Sequence, residues 1–397
     1  MNFARYRLFR EPGICSEMNP NHAPLLDLLR AAAALLVLFG HTRSLIFTSI
    51  SSVDRPGPAL KFFWLITVLE QEAVVIFFVL SGFLVGGAIV KSMSKGSFQL
   101  TRYLIARFSR IYVVYVPALI LTGTVFWIGN TLLRDFGGET IRPLFSEYQP
   151  GLGGLRSTLC HFASVQGFLC DAWKENTALW SLGYEWTLYL LAPAILALLT
   201  LARGPIVVRS AAALLVFCGA VSVSTDLTNS VSFWFGAWFF GVAAWQVSQK
   251  HQVPLAAGLL GLTFIVGGMA VSRLQIIDVM ITNVVIATGT ALAITCRPLR
   301  SFPLGARFFG WAAGFSYSLY ATHLPVVFLT IAIFQNFGLP AHKAPPSALA
   351  FSEFGLCVAA SIAVSYLFSI FTEQRTDKVR HWLNVALFAS PRDKRNR

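Results

Sequence analysis

The chain has 397 residues, 55% of them hydrophobic and only 12% charged, with a formal net charge of +13 and a mean hydropathy of +0.64. A soluble globular domain carries roughly 25% charged residues, so this composition excludes that class and indicates a polytopic membrane protein. The basic residues flank apolar runs and form no stripe interleaved with stacking aromatics, so nucleic acid is not an expected partner.

Residues 1–23 hold Arg5, Arg7, Arg10 and Glu11, with no apolar run before Leu25. They read as a cytoplasmic segment without the apolar core of a secretory signal. The first apolar run, Ala23 to Phe47, is long enough to cross about 30 Å of hydrocarbon as a helix rising 1.5 Å per residue. It nevertheless contains Arg30 and His41. Eleven positions make about three turns, so the two side chains share one face at depths about 16 Å apart. An ionisable group within a span costs about 3 kcal/mol or more and normally faces the protein interior or a wet cavity. Singly, Arg30 reads as a snorkelling anchor and His41 as a packing group. On one stripe they mark a path.

Apolar runs predict ten spans, near 24–47, 60–90, 110–130, 179–201, 205–224, 230–248, 254–272, 277–296, 311–334 and 348–372. With both ends on the cytoplasmic side, 21 of the 31 Lys and Arg fall inside and 9 outside, with Arg30 left in the bilayer. The positive-inside rule therefore selects N-in, C-in. The expected protein is an all-α polytopic membrane protein of about ten transmembrane helices, integral to the cytoplasmic (inner) membrane. Its helical domain covers 24–372, and a basic cytoplasmic tail follows over 373–397. One long outer loop, about 130–178, is the segment where function is expected outside the spans. It contains Cys160 and Cys170, whose spacing permits a disulfide in an oxidising compartment without requiring one. No Cys/His cluster has metal-ligand spacing.

Five stretches carry a further signal: LDLLRAAAALLVLFGH (Leu26 to His41), FFVLSGFLV (Phe77 to Val85), RYLIARFSRIY (Arg102 to Tyr112), WSLGYEWTLYLLAP (Trp180 to Pro193) and FSYSLYATHLPVV (Phe315 to Val327). In this order they resemble the acyltransferase family 3 membrane proteins over nearly the whole chain. The arginine, ten residues, histidine element is that family's most specific mark, and Arg30 with His41 matches it. The resemblance implies a ten-helix enzyme that takes an acyl group, commonly acetyl, from cytoplasmic acyl-CoA. The acceptor is a hydroxyl of a glycan or similar molecule, often across the membrane. Two departures stand out: Trp186 replaces the family's second glutamate after Glu185, and Val113 replaces the usual proline. No esterase-like domain follows the tenth span, as in single-domain members.

Independently of the family, depth arithmetic places Arg30 near the cytoplasmic edge and His41 in the outer third. An arginine fork suits phosphate or pantetheine oxygens, and an imidazole suits a general base at neutral pH. Transient acylation of His41 is an open alternative. Glu185 is expected at the depth of His41, where it would orient the imidazole. Its other reading is a charge on its helix's first turn. Glu70 and Glu72 on the second span are further acidic candidates. Ser81 and Gly82 are expected to form a side-chain-poor turn beside the acyl-CoA arm. Arg102, Arg107 and Arg110 are the expected partners of the nucleotide phosphates, with positive-inside anchoring as the plainer reading. His323 and Tyr320 on the ninth span complete the candidates. A transporter of a glycan or lipid-linked intermediate, without acyl chemistry, is the alternative function for polar groups lining a path.

Overall fold

A computed structural model describes residues 24–133, 154–167, 169–200, 230–274, 277–303, 305–337 and 343–388, without the side chains of 230–232. Among these the chain is helical, with no strand beyond isolated bridges such as Phe47 to Ala344. Fifteen α-helices follow in order: α1 Pro24–Ile46, α2 Pro58–Ile66, α3 Glu70–Ser81, α4 Gly87–Ser94, α5 Leu100–Leu132, α6 Gly154–Phe162, α7 Trp180–Thr200, α8 Ser230–Lys250, α9 Leu255–Leu274, α10 Val279–Thr295, α11 Arg297–Arg300, α12 Ala306–Ala313, α13 Ser316–Asn336, α14 Ala348–Phe371 and α15 Thr376–Phe388. Seven helical stretches are long and apolar enough to cross a membrane; α10 is apolar but shorter. The expected span 205–224 lies outside the described residues.

Several expected spans are broken or displaced. The second divides at Thr67–Leu69 into α2 and α3 and continues through a π-helical turn, Gly82–Gly86, into α4. The ninth divides between α12 and α13 at Gly314. The third begins ten residues earlier than expected, at Leu100. The fourth is entered through a 3₁₀ turn, Lys174–Leu179. Its polar residues Glu175 and Asn176 are buried rather than exposed. Within the expected basic tail, residues 376–388 form α15.

Helix α1 is the centre of the packing, touching α3, α12, α13 and α14. Close approach depends on glycine. A Cβ on Gly82 would fall 1.8 Å from the Trp238 carbonyl oxygen, so α3 and α8 meet backbone to backbone there. A Cβ on Gly261 would fall 2.6 Å from the Gly289 carbonyl oxygen, which brings α9 and α10 together in the same way. Small residues at such crossings are how helices associate in lipid, where apolar burial no longer drives them together.

Candidate active site

Helices α1 and α3 run side by side in opposite directions, and the contact of Gly40 with Glu70 fixes their register. His41 lies eleven positions after Arg30, and Ser81 eleven positions after Glu70. At 1.5 Å per residue, Ser81 therefore lies about 16 Å from Glu70, at the level of Arg30. The candidates fall into two clusters, one at each end of this distance.

The first surrounds Arg30. Its guanidinium lies 3.7 Å from the Asp27 carboxylate and within electrostatic reach of Arg110, Glu373 and Tyr189. Glu185 Oε1 accepts hydrogen bonds from Tyr189 Oη at 2.5 Å and Ser81 Oγ at 3.2 Å. Trp238 Nε1 donates to Ser81 Oγ at 3.2 Å. Glu185 therefore does not orient His41, contrary to the expectation from its depth. The span starts before Ala178, and the buried 3₁₀ turn carries Glu185 further from the His41 end. Arg107 stands over the Tyr103 and Tyr189 rings, 5.9 and 5.6 Å from their centroids. Arg110 Nη1 bonds Glu373 Oε1 at 3.1 Å. The other Glu373 oxygen accepts from Ser318 N and Oγ, both at 2.9 Å. Arg110 is thus bound into the link between α5, α13 and the turn after α14. Arg102 is exposed at the start of α5. Gly82 does not leave room for an acyl-CoA arm, because the α8 backbone occupies its open side.

The second cluster surrounds His41. His41 Nδ1 lies 2.8 Å from His323 Nε2, with ring planes within 7° of parallel. His323 Nδ1 faces two backbone carbonyls, Leu319 O at 3.0 Å and Tyr320 O at 2.9 Å. Carbonyls only accept, so His323 Nδ1 carries the hydrogen and, in the neutral ring, Nε2 carries the lone pair. His41 Nδ1–H then donates to it. This leaves the lone pair of His41 on Nε2, the arrangement of a base with its second nitrogen oriented by a partner. His323 is fully buried, whereas His41 retains partial exposure.

Tyr320 Oη donates to the Ala178 carbonyl at 2.8 Å and lies 2.6 Å from Ser181 Oγ. It supports the bend into α7 beside the histidines. Asn176 Nδ2 reaches the Ala321 carbonyl at 2.9 Å, tying the 3₁₀ turn to α13 two residues before His323. Glu72 is not placed for proton transfer: it is 1% exposed, ion-paired to Arg273 and bonded by Ser272 Oγ at 2.5 Å. Glu70 lies along Gly40, beside His41 in sequence. In the long loop, Cys160 and Cys170 form a disulfide.

His323 stands out in the sequence without its partner, and Glu373 and Tyr189 do not stand out. Tyr189 stands one helical turn from Glu185, a spacing that brings two side chains onto one face. Glu373 is an acid closing an apolar run among basic residues, which is the only signal it gives.

A bundle of apolar helices enclosing an imidazole pair at one level and an arginine with a carboxylate network at another is the frame of an integral membrane transferase. The chain belongs to the acyltransferase domain family, whose model matches residues 24–370. It is 30% identical over 244 residues to an O-acetyl transferase of Shigella phage Sf6, covering 56% of this chain and 64% of that protein. It is 28% identical over 193 residues to nodulation protein 10 of Rhizobium leguminosarum bv. viciae, covering 46% and 47% of the two chains. The matches thus span from about half to just under two thirds of these relatives. No solved structure matches the chain.

Proposed function

We propose that the protein is an acyl-CoA-dependent O-acyltransferase of the cytoplasmic membrane. It would move an acetyl group from cytoplasmic acetyl-CoA to a hydroxyl of a cell-surface or exported glycan. The observation that carries this reading is the 2.8 Å contact of His41 Nδ1 with His323 Nε2, which leaves the outward nitrogen of His41 free to accept a proton. The family match and the phage O-acetyl transferase support the reaction type.

In this mechanism His41 Nε2 takes the proton of the acceptor hydroxyl as its oxygen attacks the thioester carbonyl. The C–S bond breaks, and the CoA thiolate receives the proton back from the His41 imidazolium. Hydrogen bonding to His323 holds the ring and favours the charge it transiently bears. Arg30 would hold pantetheine or phosphate oxygens, and Arg107 and the exposed Arg102 would meet the nucleotide. The proposed topology has ten spans with both termini inside, which places the Cys160–Cys170 loop outside. A disulfide there is consistent with an oxidising compartment.

The test uses purified full-length protein. Acetyl-CoA is expected to raise its melting temperature, as any ligand of the native state does. His41→Ala should keep that stabilisation and lose roughly a thousandfold in acyl transfer, the range of general-base contributions. Mass spectrometry of surface glycans from cells with and without the chain should show an added acyl mass. Movement of a glycan with no acyl-CoA requirement would overturn the reading.

A further inference from the structure

Near His41 there is a pair of opposite charges that are held apart. Glu70 is pressed along Gly40, where a Cβ would fall 2.3 Å from its Oε2. That oxygen is shielded from solvent and has no hydrogen-bond partner among the described residues. Arg43 is one turn beyond Gly40 and lies within electrostatic reach of Glu70 and Arg273. Its Nε donates instead to the Thr67 carbonyl at 3.1 Å. The break between α2 and α3 frees that carbonyl from helix bonding. The guanidinium also stands 6.0 Å from the Trp64 ring centroid. Each group is thus held by a neighbouring element, Glu70 by α1 and Arg43 by the end of α2, and the two make no ion-pair contact with each other.

A buried carboxylate oxygen without a donor is costly, and a group that supplies one relieves the cost. A hydroxyl is the group that serves both members of such a pair, because it donates to a carboxylate and accepts from a guanidinium. The wider charge balance also matters. Glu72 and Arg273 already pair, and the exposed Lys343 is tied to the Ser44 carbonyl at the end of α1, so Glu70 and Arg43 remain as one carboxylate and one guanidinium beside Gly40. An anionic ligand would meet Glu70 and a cationic one would meet Arg43.

We propose that Glu70 and Arg43 form the acceptor subsite and that they select an uncharged, polyhydroxylated sugar. They would hold one hydroxyl so that its neighbour lies at His41. The proposal rests on the acyl-transfer reading above and adds to it the residues and the charge class of the acceptor. Glu70 and Arg43 act by binding, and proton transfer remains with His41. Gly40 has a defined part here: any side chain at this position would push Glu70 off α1.

The experiment reconstitutes the full chain in liposomes with labelled acetyl-CoA and three probes that differ in charge: butyl glucoside, butyl glucuronide and butyl glucosaminide. Wild type is expected to acetylate the neutral glucoside in preference to the other two. Glu70→Gln and Arg43→Gln should each raise the KM for the glucoside about tenfold or more, the cost of one charged hydrogen bond. Half-saturation by acetyl-CoA should not change. The specificity should also shift by sign, with the glucuronide gaining on Glu70→Gln and the glucosaminide on Arg43→Gln. Glucoside KM values within about twofold of wild type in either folded variant would overturn the subsite. Equal use of all three probes by wild type would do the same. If one variant fails to fold, the other decides the matter through the same KM and sign shift. Acetyl-CoA binding without transfer to any probe would overturn the neutral-sugar assignment while leaving the acyl-CoA reading intact. Absence of both binding and transfer would remove that reading and the subsite with it.

Discussion

The two ends of α1 solve the problem of polar groups in an apolar bundle differently. Around Arg30, carboxylates carry cations and hydroxyls: Asp27 faces Arg30, Glu373 holds Arg110 and Ser318, and Glu185 gathers Tyr189 and Ser81. Around His41, two imidazoles share one hydrogen bond, while the carboxylate of Glu70 keeps an oxygen without a partner. The first arrangement joins α3 to α7 through Ser81 and Glu185, and α5 to α13 and the turn after α14 through Glu373. The second leaves a basic nitrogen and an acceptor oxygen uncommitted. The Arg30 end is thus braced by pairs within the fold, whereas the His41 end keeps hydrogen-bonding capacity in reserve.

This contrast can be broken first at Glu373. Its side chain is 1% exposed, and removing it takes away the carboxylate that bonds Arg110 and strands two donors of Ser318. Leaving one partner of a buried pair uncompensated costs about 3 kcal/mol or more, so Glu373→Ala should lower the melting temperature sharply. Arg110→Met with Glu373→Leu should recover much of the loss. If Glu373→Ala melts with wild type, the network is not what binds α5 to α13.

The next effect concerns rate more than stability. His323→Leu removes the acceptor for His41 Nδ1–H and frees the ring to turn. We expect about a hundredfold loss of kcat with little change in KM, within the range that positioned general bases contribute. His323→Gln should retain most of the rate, because its side-chain carbonyl can accept the same hydrogen. Equal loss in both variants would make His323 a packing group.

The smallest effect lies outside the membrane helices, at His161 in the disulfide loop. His161 is fully buried. Burial lowers its pKa below the ordinary value, opposed by its hydrogen bond to the Ser157 carbonyl. Its Nε2 accepts from Trp173 N at 3.0 Å, a bond that protonation abolishes. The folded loop therefore prefers neutral His161. Its contribution is complete above the unfolded pKa of about 6.5 and is lost as pH falls through the lower folded value. Protection of residues 157–167 and 169–173 against hydrogen exchange, referred to the intrinsic rate at each pH, should fall below about pH 6.5, and in His161→Gln that dependence should flatten.

Much of this fold is legible in the sequence because lipid imposes a length and a composition on every span. The α1 run, its two ionisable residues and their shared face follow from helix period alone. The break at Thr67–Leu69 is less visible, since no proline or glycine marks it. The sequence sets Glu185 too near the outer surface because Lys174, Glu175 and Asn176 look like a surface loop, whereas Glu175 and Asn176 are buried. The pairing of His41 with His323 joins positions 282 apart. No local pattern encodes such a contact; it arises where α1 crosses α13. Gly82 reads equally as an open turn or as a helix crossing, and only the position of Trp238 decides between them.

The claim at the centre of this account is that His41 holds its hydrogen on Nδ1 and its lone pair on Nε2. Nitrogen-15 spectra of histidine-labelled protein in lipid, assigned by comparison with His41→Ala and His323→Gln, read this directly. The account requires a protonated Nδ1 and an unprotonated Nε2 on His41 near neutral pH, coupled to an unprotonated Nε2 on His323. A His41 ring that carries its hydrogen on Nε2 would contradict it, because the nitrogen left for the acceptor proton would then be the one facing His323.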